Sequence, residues 1–353
     1  MSAMAKKAGE SLALYRKYRP QSFDEIQGDT QVVEVLKSAI KNKKLAHAYL
    51  FAGSRGTGKT TMARLFAQAL GTSEKDIYEI DAASNRQVED ARELREGVST
   101  MPFESKYKFY ILDEVHMLTK EAFNTLLKTL EEPPEHAMFV LATTELDRVP
   151  DTIQSRCQVF QFKKPGHEAL KSLVLGVAKK EGAKLEPAGA ELIALMAEGS
   201  FRDALGILQK VLTVSQDAKL TEEEVAKVVG APSGATVNEF LDALAKKDIG
   251  KAIEGFHRAL ASGAESKMFA LLAIAKVRGV LLLRFAPELK KELDEQFGED
   301  DVKFLTGLAG KDGAAINAAL LAELITALIE MNRAPLPQIS LELALYRTFT
   351  LEQ

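Results

Sequence analysis

Cysteine is almost missing from this chain of 353 residues: Cys157 stands alone. One thiol excludes an intrachain disulfide and any zinc site built on several cysteines, and it points to a reducing, cytoplasmic compartment. The five histidines, His47, His116, His136, His167 and His257, are too scattered for metal-ligand spacing. A surplus of one charge sign is lacking as well. Lys plus Arg number 46 against 50 Asp plus Glu, a formal net charge of -4, so a polyanion has to be met by a local patch and not by bulk attraction. Long apolar runs are also missing. Val280 to Phe285 is short and carries Arg284, and Ala314 to Ile329 is broken by Asn317 and Glu323, whereas a membrane span needs about 20 mostly apolar residues. Residues 1 to 11 hold Lys6 and Lys7 with no apolar stretch behind them, so neither secretion nor a membrane partner is expected.

What is present is ordered along the chain. The length accommodates two or three domains of roughly 100 to 200 residues each. In the first half, strands are expected at His47 to Ala52, Tyr78 to Asp81, Lys108 to Leu112, Met138 to Thr143 and Gln158 to Phe162, with helical segments between them. Phe109-Tyr110-Ile111-Leu112 and Phe139-Val140-Leu141 are apolar without alternation, as in strands of a parallel sheet covered on both faces by helices. After Lys163-Lys164-Pro165-Gly166 the strand signal stops, and apolar residues recur at helical spacing, as at Leu170, Leu173, Val174 and Val177. Gly230-Ala231-Pro232-Ser233-Gly234 punctuates this helical part. The expected domains are an α/β domain at 1–164, a small helical domain at 165–232 and a second all-helical domain at 233–353.

Gly53-Ser54-Arg55-Gly56-Thr57-Gly58-Lys59-Thr60 matches the pattern GxxxxGK[ST] in full, after the strand candidate Tyr49-Leu50-Phe51 and before the helical run Met62 to Leu70. In that setting glycines let backbone N–H groups wrap phosphates at a helix N-terminus. Lys59 then neutralises the β- and γ-phosphates of ATP, and the Thr60 hydroxyl coordinates Mg²⁺. Asp113 and Glu114 end the buried run Phe109 to Leu112. Asp113 suits the metal, and Glu114 suits the attacking water, although an acid at that position also serves to cap a helix.

Together with Asp113-Glu114-Val115-His116, this loop resembles the AAA+ ATPases. Glu79 to Ser84, Leu126 to Pro134, Leu141 to Thr144, Ser155-Arg156-Cys157, Tyr15 to Pro20 and Gly199 to Leu205 narrow the resemblance to clamp loaders of the bacterial DNA polymerase III tau/gamma type. It implies a P-loop AAA+ domain with a parallel sheet, then a helical lid domain and an all-α collar domain. It implies an ATPase that works as a motor subunit with further copies of itself and stator-type subunits, loading a sliding clamp on primer-template DNA.

Residue roles follow from the same resemblance. Arg156 corresponds to the arginine finger that reaches the γ-phosphate held by a neighbouring subunit; without the resemblance the favoured reading of a single arginine is one that caps a helix or pairs with a surface carboxylate. Thr143 and Thr144 both lie where sensor 1 falls, Thr144 being the candidate, and Arg202 corresponds to sensor 2. Thr61 lies within the phosphate loop and helix, while Tyr18 and Arg19 lie in the segment beside adenine. Asn85, Arg86 and Gln87 at a helix start, and Lys128 on the helix after the acid pair, are the candidates for DNA phosphates; each is also an ordinary solvated residue. The chain departs from the family in one respect. The family's four-cysteine zinc module would fall between the P-loop helix and the next strand, where only Gly71 to Asp76 stand, so ATP and Mg²⁺ but no zinc are expected. The alternative function is a AAA+ DNA translocase of branch-migration type, which would carry a winged-helix module in place of an all-helical C-terminal third.

Overall fold

The computed structural model describes residues 12–84, 88–215, 218–297, 299–310 and 313–350. The apolar runs of the first half are its strands: β1 (Ala48–Ala52), β2 (Ile77–Asp81), β3 (Lys108–Asp113), β4 (Ala137–Thr143) and β5 (Gln158–Gln161). All are parallel, in the order β2-β3-β4-β1-β5. The helices between them are α1 (Leu14–Lys17), α2 (Thr30–Lys41), α3 (Lys59–Ala69), α4 (Val88–Val98), α5 (Lys120–Glu131) and α6 (Asp151–Gln154).

Every residue of β1 and β4 is buried, because both faces of the sheet are covered. Side chains alternate between faces along a strand. Tyr49, Phe51, Phe109, Ile111, Met138 and Val140 therefore pack with Leu36 of α2 and Met62 and Phe66 of α3. Ala48, Leu50, Tyr110, Leu112, Phe139 and Leu141 pack on the other face with Leu94 of α4, Phe123 and Leu126 of α5 and Ile153 of α6. The absence of alternation in the sequence is the direct result of this sandwiching.

The remaining helices are α7 (His167–Lys180), α8 (Pro187–Met196), α9 (Phe201–Val214), α10 (Glu222–Val229), α11 (Gly234–Ala245), α12 (Ile249–Ala261), α13 (Ser266–Phe285), α14 (Lys290–Phe297), α15 (Glu299–Ala309), α16 (Ala318–Met331) and α17 (Pro337–Thr350). Two short strands, β6 (Lys184–Leu185) and β7 (Lys219–Leu220), pair in parallel among them. The sequence gives no sign of these, since two residues are too few for a period.

The chain forms two compact units, one of residues 1–173 with 197–206 and one of residues 174–196 with 207–353. In the second, Phe240, Phe256 and Phe269 centre a core continued by Val277, Leu305, Leu320, Leu324 and Leu341. Two cations, Lys276 buried and Arg284 half-buried, tie its helices. Lys276 donates to Asp301 Oδ2 (2.7 Å) and Asn238 Oδ1 (2.8 Å), joining α13 to α15 and α11. Arg284 donates to the carbonyls of Leu308, Ala309, Gly313 and Ile316, fixing the link from α15 to α16. A buried charge is tolerated only when paired and hydrogen-bonded in this way. Among the described residues, no helix is long and apolar enough to cross a membrane.

Candidate functional site

The carboxyl ends of parallel strands are where such sheets bind ligands, and β1, β3 and β4 end together. The register puts Ala52 opposite Thr143, and Leu112 opposite Leu141. Beyond β1 the chain turns at Gly53, whose N–H donates to Thr143 O (3.1 Å). A Cβ at Gly53 would lie 2.5 Å from Phe162 O, so only glycine fits. Gly56 and Gly58 hold left-handed backbone, with φ of 75° and 99°. A Cβ at Gly56 would also collide with Ser200 Oγ. Thr57 Oγ1 donates to Ser54 O (2.9 Å) and braces the loop. Arg55 points out to solvent, and Thr61 is half-buried in the first turn of α3.

Lys59 opens α3 and is 5% exposed. Its Nζ folds back over the loop to donate to Gly53 O (2.7 Å) and Ser54 O (3.0 Å). Burial pushes its ammonium below the usual lysine range, and the charges of Glu114 and Asp113 oppose that shift. Thr60 Oγ1 donates to Asp113 Oδ2 (2.8 Å), while Asp113 Oδ1 accepts from Glu114 N–H (3.0 Å). Glu114 sits at φ 50°, ψ 45°, a left-handed conformation that a glutamate adopts only at a cost. Its Oε2 accepts from Thr144 Oγ1 (2.9 Å). Lys59, Thr60, Asp113, Glu114 and Thr144, scattered over 86 positions from 59 to 144, thus meet at one edge. The pair Thr60 and Asp113 offers two hard oxygen donors side by side, which suits Mg²⁺.

Arg202, in the first turn of α9, has its Cζ 5.5 Å from the centre of the Tyr15 ring. Phe201 N–H, just before it, donates to Gly56 O (3.0 Å), so the start of α9 is bonded to the P-loop. Arg19 is lowered below the usual arginine range by burial and by the neighbouring charges of Arg64, Arg202 and Arg16, with Glu79 opposing. Tyr18 is half-buried, and Lys17 lies over its ring. A cavity of about 380 Å³ is lined by Gln27, Gly28, Asp29, Lys163, Pro165 and Phe201, among others.

Other predicted residues lie apart in their bonding. Arg156 donates to Thr152 O (2.7 Å) and Glu131 Oε1 (2.6 Å). Neighbouring Cys157 is half-buried, and burial pushes its thiol up to about 12. Lys128 is exposed on α5. Asn85, Arg86 and Gln87 lie outside the described residues. Residues to which sequence reasoning gave no role are His116, whose ring Nδ1 is 3.0 Å from the hydroxyl of Thr143 beside Glu114, and Ser200, packed on Gly56. Only the motif string Asp113-Glu114-Val115-His116 could have drawn attention to His116.

The strand order with one strand between the P-loop strand and the acid-bearing strand, and the polar residue on that intervening strand, define a P-loop domain of the AAA+ class. The Thermotoga maritima RuvB Holliday junction branch migration motor has the same fold, with a TM-score of 0.51 and 25% identity over 70% of this chain and 86% of that one. The family described as DNA polymerase III, delta subunit, matches residues 28–86 and 71–166, and that described as DNA polymerase III subunits gamma and tau domain III matches residues 220–353. DNA polymerase III subunit gamma of Buchnera aphidicola subsp. Baizongia pistaciae is 30% identical over 96% of both chains. DNA polymerase III subunit tau of Bacillus subtilis is 39% identical over 81% of this chain and 55% of its own length, and that of Escherichia coli 34% identical over 78% and 46%. The chain belongs to the DNA polymerase III gamma/tau subunit family. It spans about half the length of those two tau relatives.

Proposed function

We propose that this chain is an ATP-driven motor subunit of a bacterial replicative clamp loader, acting in the cytoplasm with other copies of itself and with stator-type subunits. The observation that carries the reading is the convergence of Lys59, Thr60, Asp113, Glu114 and Thr144 at one sheet edge in a member of this family. A subunit that only bound nucleotide as a scaffold would not need the acid pair intact. On this reading the P-loop N–H groups and Lys59 take the phosphates of ATP, and Tyr18, Arg19 and the cavity at Gln27 to Asp29 take the base. Thr60 and Asp113 hold Mg²⁺, which supplies charge neutralisation at the phosphates. Glu114 draws the proton from the attacking water, with Thr144 orienting its carboxylate. Arg202 reports the γ-phosphate from the start of α9.

Arg156 acts on the nucleotide of the next subunit. Its pairing with Glu131 is compatible with that task, because the arginine side chain is 36% exposed and the glutamate 47%. An exposed pair of this kind is worth roughly 0 to 1 kcal/mol, little to give up for a developing phosphoryl charge. The helical lid at 165–232 and the collar at 233–353 belong to the same proposal. For the collar, the support is a run of exposed apolar residues, Ile325 and Ile329 on α16 with Ile339, Leu343 and Tyr346 on α17. Lys128, with Asn85, Arg86 and Gln87, would meet phosphates of primer-template DNA, so each subunit adds a small contact despite the acidic whole.

The test is the ATPase rate of the reconstituted assembly with and without clamp and primed DNA. Stimulation by the two together is expected; an unchanged rate would refute the clamp-loading reading. A branch-migration translocase would instead move junction DNA, and its winged-helix module has no counterpart in the described residues beyond 233, which form helices and their links.

A further inference from the structure

His116 follows Glu114 by two residues and takes no part in the mechanism above. It sits in the tight turn Val115–Met117 with a side chain 6% exposed. Three polar partners surround the ring. Nδ1 is 3.0 Å from Thr143 Oγ1 and 3.5 Å from Glu114 Oε2, and Nε2 is 3.3 Å from Glu145 Oε1. Each partner is itself held. Thr143 Oγ1 accepts from Glu145 N–H (3.0 Å) and donates to Glu145 O (3.2 Å). Glu145 Oε2 accepts from Arg148 Nε (2.9 Å).

We propose that His116 is a positioning residue for the hydrolytic step, fixing the Glu114 carboxylate in a single orientation. The inference rests on the reading of Glu114 as general base. Thr144 and His116 both meet the same oxygen, Oε2. That leaves Oε1 as the atom that takes the proton. The water gives its proton to Oε1, its oxygen bonds to the γ-phosphorus, and the bond to the bridging oxygen breaks to release ADP. A carboxylate held by one hydrogen bond still rotates about its last torsion; a buried, immobile ring packed against the same oxygen obstructs that rotation. Neighbouring threonines divide the work: Thr144 donates to Glu114 directly, and the fully buried Thr143 takes the Nδ1 hydrogen, holding the imidazole edge 3.5 Å from the same carboxylate oxygen. The pairing of Glu145 with Arg148 extends the bracket to an arginine side chain that is 63% exposed.

The experiment compares His116→Ala, His116→Asn and Glu114→Gln in the reconstituted assembly, reading kcat, KM for ATP, nucleotide affinity and melting temperature. His116→Ala should lower kcat about tenfold with KM and affinity within about twofold, because the phosphates are held by other residues. His116→Asn keeps a nitrogen donor where Nδ1 stands and should recover most of the loss. Glu114→Gln should lose about a hundredfold or more, in the range of a general base. If Glu114→Gln fails while His116→Ala turns over normally, this proposal alone is overturned. It is likewise overturned if His116→Asn is no better than alanine and affinity and melting temperature fall in step with kcat. Turnover retained by Glu114→Gln would overturn the general-base reading and this inference with it.

Discussion

Lys59 is buried beside two carboxylates, so its charge is balanced between loss of hydration, which disfavours it, and attraction to Glu114 and Asp113, which keeps it. Its donors are spent on the carbonyls of Gly53 and Ser54, weak acceptors that phosphate oxygens would replace with charged ones. Lys59→Ala is therefore expected to weaken ATP binding at least tenfold in a fluorescent-nucleotide titration, and an unaltered affinity would contradict the phosphate assignment. At this scale the candidates Lys59, Thr60, Asp113 and Glu114 are readable from the sequence, because glycines and lysine at that spacing, followed by acids ending a buried strand, suit phosphate and metal, even though Glu114 taken alone also suits a helix cap. The roles of Thr143, Thr144 and His116 are not readable in the same way. Adjacent residues at a strand end point to opposite sides, and which one meets Glu114 depends on how β4 is aligned against β3.

Strands show how much an apolar run alone conveys. Each of the five expected in the sheet lies within one residue of its place at both ends; for β1, β3 and β4 this is because a doubly covered strand is apolar almost throughout, while β2 and β5, at the sheet's two edges, are mostly exposed. The tie between β2 and the link that leads into β3 was not legible. Asp76, fully buried, accepts from the N–H groups of Phe103, Glu104 (3.0 Å) and Ser105 (2.8 Å). Burial raises its carboxyl, but these bonds outweigh burial and bring it from the ordinary 3.8 down to about 2. A carboxyl depressed on folding stabilises the protein above its unfolded pKa and stops doing so as pH falls through the folded one. Asp76 should thus contribute about 1 to 2 kcal/mol that is present at pH 5 and above and lost between roughly pH 4 and 2. Asp76→Asn should lower the melting temperature near neutrality and flatten that acid limb; an unchanged limb would show that another carboxyl sets it.

Taken whole, the chain is two units, and helices α11 to α17 of the second bury their apolar faces in one core while leaving Ile329 60% and Leu343 40% exposed. On the proposed reading these residues are covered in the assembly. Ile329→Asp combined with Leu343→Asp should shift the chain to smaller species in sedimentation without lowering its melting temperature, and unchanged sedimentation would remove this face from the interface. Arg156→Ala tests the other inter-subunit element. Stimulated ATP turnover should fall by about 10³ or more while nucleotide affinity stays within about twofold; a loss of affinity would make Arg156 structural.

The near-absence of cysteine, the balanced charge and the phosphate-loop spacing belong to the sequence by itself, and so does the α/β character of the first half. Composition and short-range pattern are local, and backbone geometry reads them locally. Tertiary structure alone decided that one strand separates Lys59 from Asp113, that Arg202 rests on Tyr15, and that His116 stands between Glu114 and Glu145. Those relations join residues far apart in the chain, the first and last of them through the register of parallel strands, and register is set when the sheet buries its faces.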